Sequence, residues 1–276
     1  MAFVDRDDVM TLIEELYLEI SQRLSSKTVL HEPFPRLTYD EAMDRYGSDK
    51  MDIRFGLELV DVSQVATGKG FQVFDDAVAS GGVVKAIVAP DSAVFSRREV
   101  DGLQEVVKAN GAFGLATIAN NADGTLRSPL ARFFSEDHLA EILRVVGAGE
   151  GDLVCLVAGS REIVNSALGA LRIELAERLG LIDPNVLAFA WVIDFPLFER
   201  DGETGGLTFS HNPFCSPADD SFGQLYSDPA SARSKQYDLV CNGHEIGGGS
   251  IRAHRSADLR RIYEVMGYDA ESIDSE

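Results

Sequence analysis

Apolar positions along this chain change period from block to block. In DRDDVMTLIEELYLEISQRL, Val9, Leu12, Ile13, Leu16 and Ile20 recur at helical spacing, and acids crowd the start, where a helix dipole favours them. This predicts an amphipathic helix with that face turned inward. In the polar stretch that follows, Thr38 and Glu41 match a capping box for a short helix, YDEAMDRY, closed by Gly47. From about Phe71 the runs shorten. FQVFDDAV, VVKAIVAP, GLATIAN and GDLVCLVAGS read as strands, the first two separated by Gly81-Gly82. Helical patterns alternate with them: SRREVDGLQEVVKANGA with Ser96 as N-cap and Gly111 at its end, a second helix capped by Ser135, and the long SREIVNSALGALRIELAERLGLID. AFAWVIDFPLFE reads as a buried strand and SADLRRIYEVMGYD as a closing helix. The pattern predicts an α+β fold with a compact middle unit.

A second signal lies near the C-terminal end. Asn242-Gly243 separates YDLVC from HEIGGGSIR, and Asn-Gly is the strongest short-range mark of a two-residue hairpin. Placing Cys241 opposite His244 sets Val240 opposite Glu245, Leu239 opposite Ile246 and Asp238 opposite Gly247. Asp238 and Glu245 then point the same way as diagonal neighbours, roughly 7–8 Å apart at Cα. Two carboxylates so placed can share a divalent cation or a cationic substrate group. Gly247 and Gly249 fall on that face and leave an open floor. Strict alternation turns Arg252 to the other face. A bulge between Gly247 and Gly249 would return Ser250 and Arg252 to the acids, and glycine makes such a bulge cheap. Spacing alone also fits a solvated hairpin face, with the glycines as a strand-end loop.

Composition narrows the field. The chain has 276 residues and a formal net charge of -20, with an apolar content of 45%. A core of ordinary size is expected, and nonspecific binding to nucleic acid or anionic membranes is disfavoured. Cys155, Cys215 and Cys241 have no metal-ligand spacing, which suits reduced thiols. The start is acidic without an apolar leader, and no run reaches membrane-spanning length, so a cytoplasmic protein is expected.

YDLVCNGHEIGGGSIR and HNPFCSP resemble the bacterial-type aspartyl-tRNA synthetases, which are class II enzymes. RLTYDEAMDRYGSDKMDIRFGLELVDVS and WVIDFPLFE match the same family in the same order. GGVVKAI through VNSALGALR resembles its GAD insert, which also occurs in the B subunit of the tRNA-dependent amidotransferase. The resemblance implies part of a class II antiparallel-sheet catalytic domain interrupted by a compact α+β insert. Its divisions are 1–64 for the first catalytic part, 65–170 for the insert and 171–276 for the second catalytic part.

The implied reaction is ATP-dependent activation of L-aspartate to aspartyl-adenylate, followed by transfer to tRNA. The resemblance implies ATP and Mg2+ as cofactors, a homodimeric parent enzyme, and neither DNA nor membrane as a partner. By the same resemblance His211, Asp238 and Arg252 contact L-aspartate, Glu245 and Ser250 contact ATP, and Glu245 and Asp238 hold the metal. No residue is implied in covalent catalysis. The family's motif 2 ends where this chain begins and its motif 3 lies beyond the last residues, so an internal fragment, inactive alone, is expected. GSDKMD departs from the family's GSDKPD, and Asn212 stands where many relatives have a second histidine. Arg36, Arg45, Lys50 and Arg54 suit either tRNA phosphates or a solvated basic edge. A noncatalytic tRNA- or protein-binding module built on the insert is the alternative; an amidotransferase B-type subunit shares the insert but not HNPF or GGGSIR.

Overall fold

A computed structural model describes residues 3–202, 204–269, 271 and 273. In chain order it begins with α1 (Arg6–Leu24), β1 (Thr28–Val29), β2 (Arg36–Thr38) and α2 (Tyr39–Tyr46). The middle region holds β3 (Val60–Asp61), α3 (Ser63–Ala66), α4 (Gln72–Ala79), β4 (Val83–Ala89), α5 (Arg97–Ala109), β5 (Ala116–Asn120), β6 (Leu126–Arg127), α6 (Glu136–Val146), β7 (Leu153–Gly159) and α7 (Arg161–Arg178). The last part adds β8 (Val186–Leu187), β9 (Phe189–Ile193), β10 (Phe198–Arg200), β11 (Leu207–Phe209), α8 (Gln224–Ser227), β12 (Gln236–Cys241), β13 (His244–Ser250) and α9 (Ser256–Val265). The α+β class expected from the pattern is what the chain adopts, with mainly antiparallel sheets.

Two compact units divide the chain: Met1–Glu41 with Asn185–Glu276, and Ala42–Pro184. The middle unit is thus wider than the span 65–170 read from sequence. Two packing facts account for the width: β3 pairs with β4 of the middle sheet, and Leu171 and Leu175 of α7 bury in the same core as Val157 and Val164.

The middle unit is built on the sheet β3-β4-β7-β5-β6. Its central strands, β4 and β7, are apolar on both faces because α5 and α7 cover one side and α6 the other. The predicted caps form: Ser96 and Glu99 make a reciprocal capping box, and Ser135 caps α6, which ends in left-handed Gly147. FQVFDDAV, read as a strand, is instead the helix α4. Its apolar residues Phe71, Phe74 and Val78 are three and four apart, and all three pack into one core cluster.

Buried charge in this unit is fully spent within it. Lys85 is 2% exposed, and its ammonium donates to Asp44 Oδ1, the Asp44 carbonyl and Asn165 Oδ1. Arg172 is 1% exposed and donates to the carbonyls of Asp52, Phe55, Gly56 and Leu57 while lying over the rings of Tyr46 and Phe55. Burial pulls the Arg172 pKa down to about 10, which leaves it charged at neutral pH.

The outer unit centres on the sheet β13-β12-β9-β2. One face, carrying Phe189, Trp191, Tyr237 and Leu239, packs on Val9 and Met10 of α1. The helical face expected to be buried is therefore only partly right. Leu12, Leu16 and Ile20 are exposed, while Val9, Met10, Glu14 and Ser21 are buried. The Glu14 carboxylate accepts from the Phe34 backbone N–H at 2.9 Å and from Trp191 Nε1 at 3.3 Å, and these bonds fix the rotation of the helix. No helix among the described residues is long and apolar enough to cross a membrane.

Candidate functional site

The hairpin forms where the sequence placed it. Asn242 and Gly243 have φ of 52° and 83°, the two positive values that a type I′ turn requires. The Asn242 amide also anchors the turn sideways, accepting from the Ala188 N–H at 2.8 Å and donating to the Val186 carbonyl at 2.9 Å.

Cys241 pairs with His244 and Val240 with Glu245, as expected. The register then slips. Leu239 faces Gly247, Asp238 faces Gly248, Tyr237 faces Gly249 and Gln236 faces Ser250. A bulge is present, but it falls at Ile246, ahead of the glycine run, and not between Gly247 and Gly249. The carbonyl of Ile246 accepts from Tyr17 Oη at 3.3 Å, so α1 satisfies a group that the bulge removes from the ladder.

This slip corrects the glycine assignments. Gly248, not Gly247 or Gly249, is the floor of the acidic face. A Cβ there would stand 2.5 Å from Asp238 Oδ1 and 3.3 Å from Glu245 Oε1. Both carboxylates therefore hang over one glycine, on the same face, as the alternation argument expected. Gly249 lies on the other face, where a Cβ would meet Tyr237 Oη at 2.9 Å, while at Gly247 nothing lies within 4 Å. Two of the three glycines are thus compelled by close approach on opposite faces.

Asp238 is buried and Glu245 exposed, and Gln236 Nε2 stands 3.4 Å from each Asp238 oxygen. Ser250 shares this face through its pairing with Gln236, and its Oγ is buried. Arg252 follows, bridged to Cys215. Its Nη1 donates to Asn212 Oδ1 at 2.9 Å.

The Cys215 thiol is the point where these groups meet. Burial raises its pKa, opposed by the nearby Ser250 hydroxyl, the charge of Arg252 and a hydrogen bond with Asn212, with Asp238 adding to the rise. The thiol is thus a packed neutral group, in a cluster with Leu197, Phe198, Leu225, Ala232 and Ile262. Arg252 also counters the burial-driven rise of the Tyr237 phenol. His211 lies one residue before Asn212 and is exposed.

Three residues that spacing did not select belong to this constellation: Asn212, which holds Arg252; Gln236, beside Asp238; and Tyr17, at the bulge. Asn212 carried a signal as a departure from the family's second histidine. Among the described residues no group of three or more His, Cys, Asp or Glu is gathered to hold a metal, so Asp238 and Glu245 stand as a pair. Mg2+ takes one or two carboxylates and completes its shell with substrate phosphates and water, and the pair fits that demand.

The basic residues suggested as phosphate contacts are engaged elsewhere. Arg45 forms a two-pronged pair with Glu58, Arg54 one with Asp52, and Arg36 pairs with Asp7. Such pairing offsets the charge a phosphate would need.

Two acids over a glycine floor, with an arginine just past the end of the same strand, thus mark this face of the sheet. The family model for class II tRNA synthetases (D, K and N) matches residues 1–276, and the chain belongs to that family. It is 44% identical over 274 residues to the "Aspartate--tRNA(Asp/Asn) ligase" of Syntrophotalea carbinolica, covering 99% of this chain and 46% of that protein. It is 46% identical over 272 residues to the protein of the same name in Moorella thermoacetica, covering 99% and 45%. With the "Aspartate--tRNA ligase" of Ruminiclostridium cellulolyticum it shares 43% identity over 271 residues, covering 98% and 46%. The chain spans about half the length of the relatives it matches.

Proposed function

We propose that this chain forms one wall of the aminoacyl-adenylate site of an aspartate–tRNA ligase. The observation that carries the reading is the pair Asp238 and Glu245 over Gly248, with Arg252 beyond Ser250 at the same edge. Arg252 takes the side-chain carboxylate of L-aspartate, because a guanidinium fork matches a carboxylate and gains little from a neutral amide. Asp238 and His211 receive the ammonium and neighbouring polar groups of the amino acid. Glu245 binds ATP through Mg2+, with Asp238 as the second carboxylate, and Ser250 contacts the nucleotide. Magnesium there would offset phosphate charge as the aspartate carboxylate displaces pyrophosphate. The protein's share is positioning and charge compensation, and no covalent enzyme intermediate is required.

The middle unit is read as the GAD-type insert, the sequence-defined span 65–170 falling inside it. The partners of the longer protein are L-aspartate, ATP and tRNA, in a cytoplasmic homodimer.

Aspartate-dependent ATP–pyrophosphate exchange tests the reading in the longest natural reading frame that carries these residues. Exchange is expected with aspartate and not with lysine or asparagine, and Arg252→Gln should raise KM for aspartate far more than KM for ATP. The 276-residue chain alone is expected to give no exchange above background. Exchange driven by lysine or asparagine, or an Arg252→Gln variant with unchanged aspartate KM, would overturn the assignment.

A further inference from the structure

Arg252 is exposed, and a long exposed side chain ordinarily samples many rotamers. Here it is held at one end. Asn212 Oδ1 accepts from Arg252 Nη1 at 2.9 Å and from the Phe214 backbone N–H at 3.0 Å, and the Cys215 thiol stands 3.5 Å away. Every one of these neighbours is a donor. A flipped amide would set an NH2 group against a guanidinium and a backbone N–H, so the network fixes which way Asn212 points. The carbonyl oxygen is itself fixed by the Phe214 N–H, which belongs to the turn that pairs back onto the strand through the Ala253 N–H and the Phe214 carbonyl at 2.8 Å. The chain thus contains a rigid acceptor aimed at one prong of an otherwise mobile cation.

We propose that Asn212 is a positioning residue for Arg252: it occupies Nη1, orders the guanidinium plane, and leaves the remaining N–H edge to a carboxylate ligand. The positioning follows from the geometry alone, whereas its use for aspartate rests on the function proposed above. Asparagine suits the task because it is a neutral acceptor. An aspartate at 212 would hold the arginine more tightly but cancel the charge that attracts an anion. A histidine offers a single acceptor nitrogen and only when neutral, so it could not serve both Arg252 and the Phe214 N–H.

The test uses the chain as it stands, labelled with 15N-arginine, with the Arg252 side-chain resonance identified by its loss in Arg252→Lys. The wild type should show restricted rotation of this guanidinium. Asn212→Ala should release it while the backbone amide spectrum stays folded, and Asn212→Asp should restore the restriction. Titration with L-aspartate should show affinity reduced about tenfold in both variants, the scale of one charge-assisted hydrogen bond. A purely structural role for Asn212 would shift stability without separating Asn212→Asp from Asn212→Ala in side-chain motion. An Arg252 equally mobile in the wild type and in Asn212→Ala overturns the proposal. A restricted Arg252 in a chain that takes up no aspartate supports the positioning and counts against the substrate reading.

Discussion

The two compact units arrange their charged side chains in different ways. In the middle unit Lys85 spends all three donors on Asp44 and Asn165, and Arg172 binds four carbonyls. Those charges are closed upon themselves and stitch loop 52–57 to α7. In the outer unit two carboxylates, Asp238 buried and Glu245 exposed, share one face and occupy the room that Gly248 leaves by having no Cβ. The first arrangement ties the unit's own segments together, whereas the second gathers two like charges over the space that a missing Cβ leaves. Burying a carboxylate costs free energy that a cation or a hydrogen-bond donor returns, and Gln236 Nε2 stands beside both oxygens of Asp238.

The largest effect expected from this contrast is on stability in the middle unit. Arg172→Met should cost about 3 kcal/mol or more, because four carbonyls lose their donor in a dry environment. Urea unfolding followed by circular dichroism measures it, and a loss under about 1 kcal/mol would mean that water replaces the guanidinium.

In the outer unit the effect should be on binding instead. Gly248→Ala should lower affinity for Mg2+ at least about tenfold by displacing Asp238, with only about 1 kcal/mol lost in stability. Gly247→Ala, where nothing stands within 4 Å, should leave both nearly unchanged. Calorimetric titration of the two variants side by side separates the glycine that forms the floor from the one that does not. Equal losses at both positions would break the comparison.

Acid should reveal the closed network next. Burial raises the Asp44 pKa, but Lys85 and Arg161 outweigh it and hold the carboxyl below its ordinary 3.8. A depressed folded-state pKa contributes stability that is present above the unfolded value and lost as pH falls through the folded one. The middle unit should therefore weaken below about pH 4, and Asp44→Asn should flatten that dependence. Unchanged acid sensitivity in the variant would assign the effect to other carboxylates. The smallest effect belongs to the exposed pair Arg23–Glu19 on α1, where Glu19→Gln should shift stability by no more than about 0.5 kcal/mol.

Much of this was legible in residues whose signals are local. The Asn242-Gly243 turn, the Ser96 and Ser135 caps and the shared face of Asp238 and Glu245 each follow from chemistry within a few positions. The bulge was legible in kind but not in place. Its site depends on Tyr17, more than 200 residues away in sequence, and on the room that Asp238 takes over Gly248. The buried face of α1 was misassigned for a similar reason: Glu14, charged and so expected outside, is drawn in by Trp191 and the Phe34 N–H. FQVFDDAV misled because a short apolar run fits either period, and the aromatic neighbours that decide between them, such as Phe133 beside Phe71, lie far along the chain.

The central claim is that a bulge at Ile246 and a glycine at 248 bring Asp238 and Glu245 together to share one divalent cation. Paramagnetic broadening by Mn2+ in the 15N-labelled chain tests it most directly. The account predicts that at substoichiometric Mn2+ the amides of Asp238, Gly247, Gly248 and Gly249 broaden first, and that Glu245→Gln abolishes this. Broadening scattered over the acidic surface of a chain with net charge -20, with those amides untouched, would contradict it.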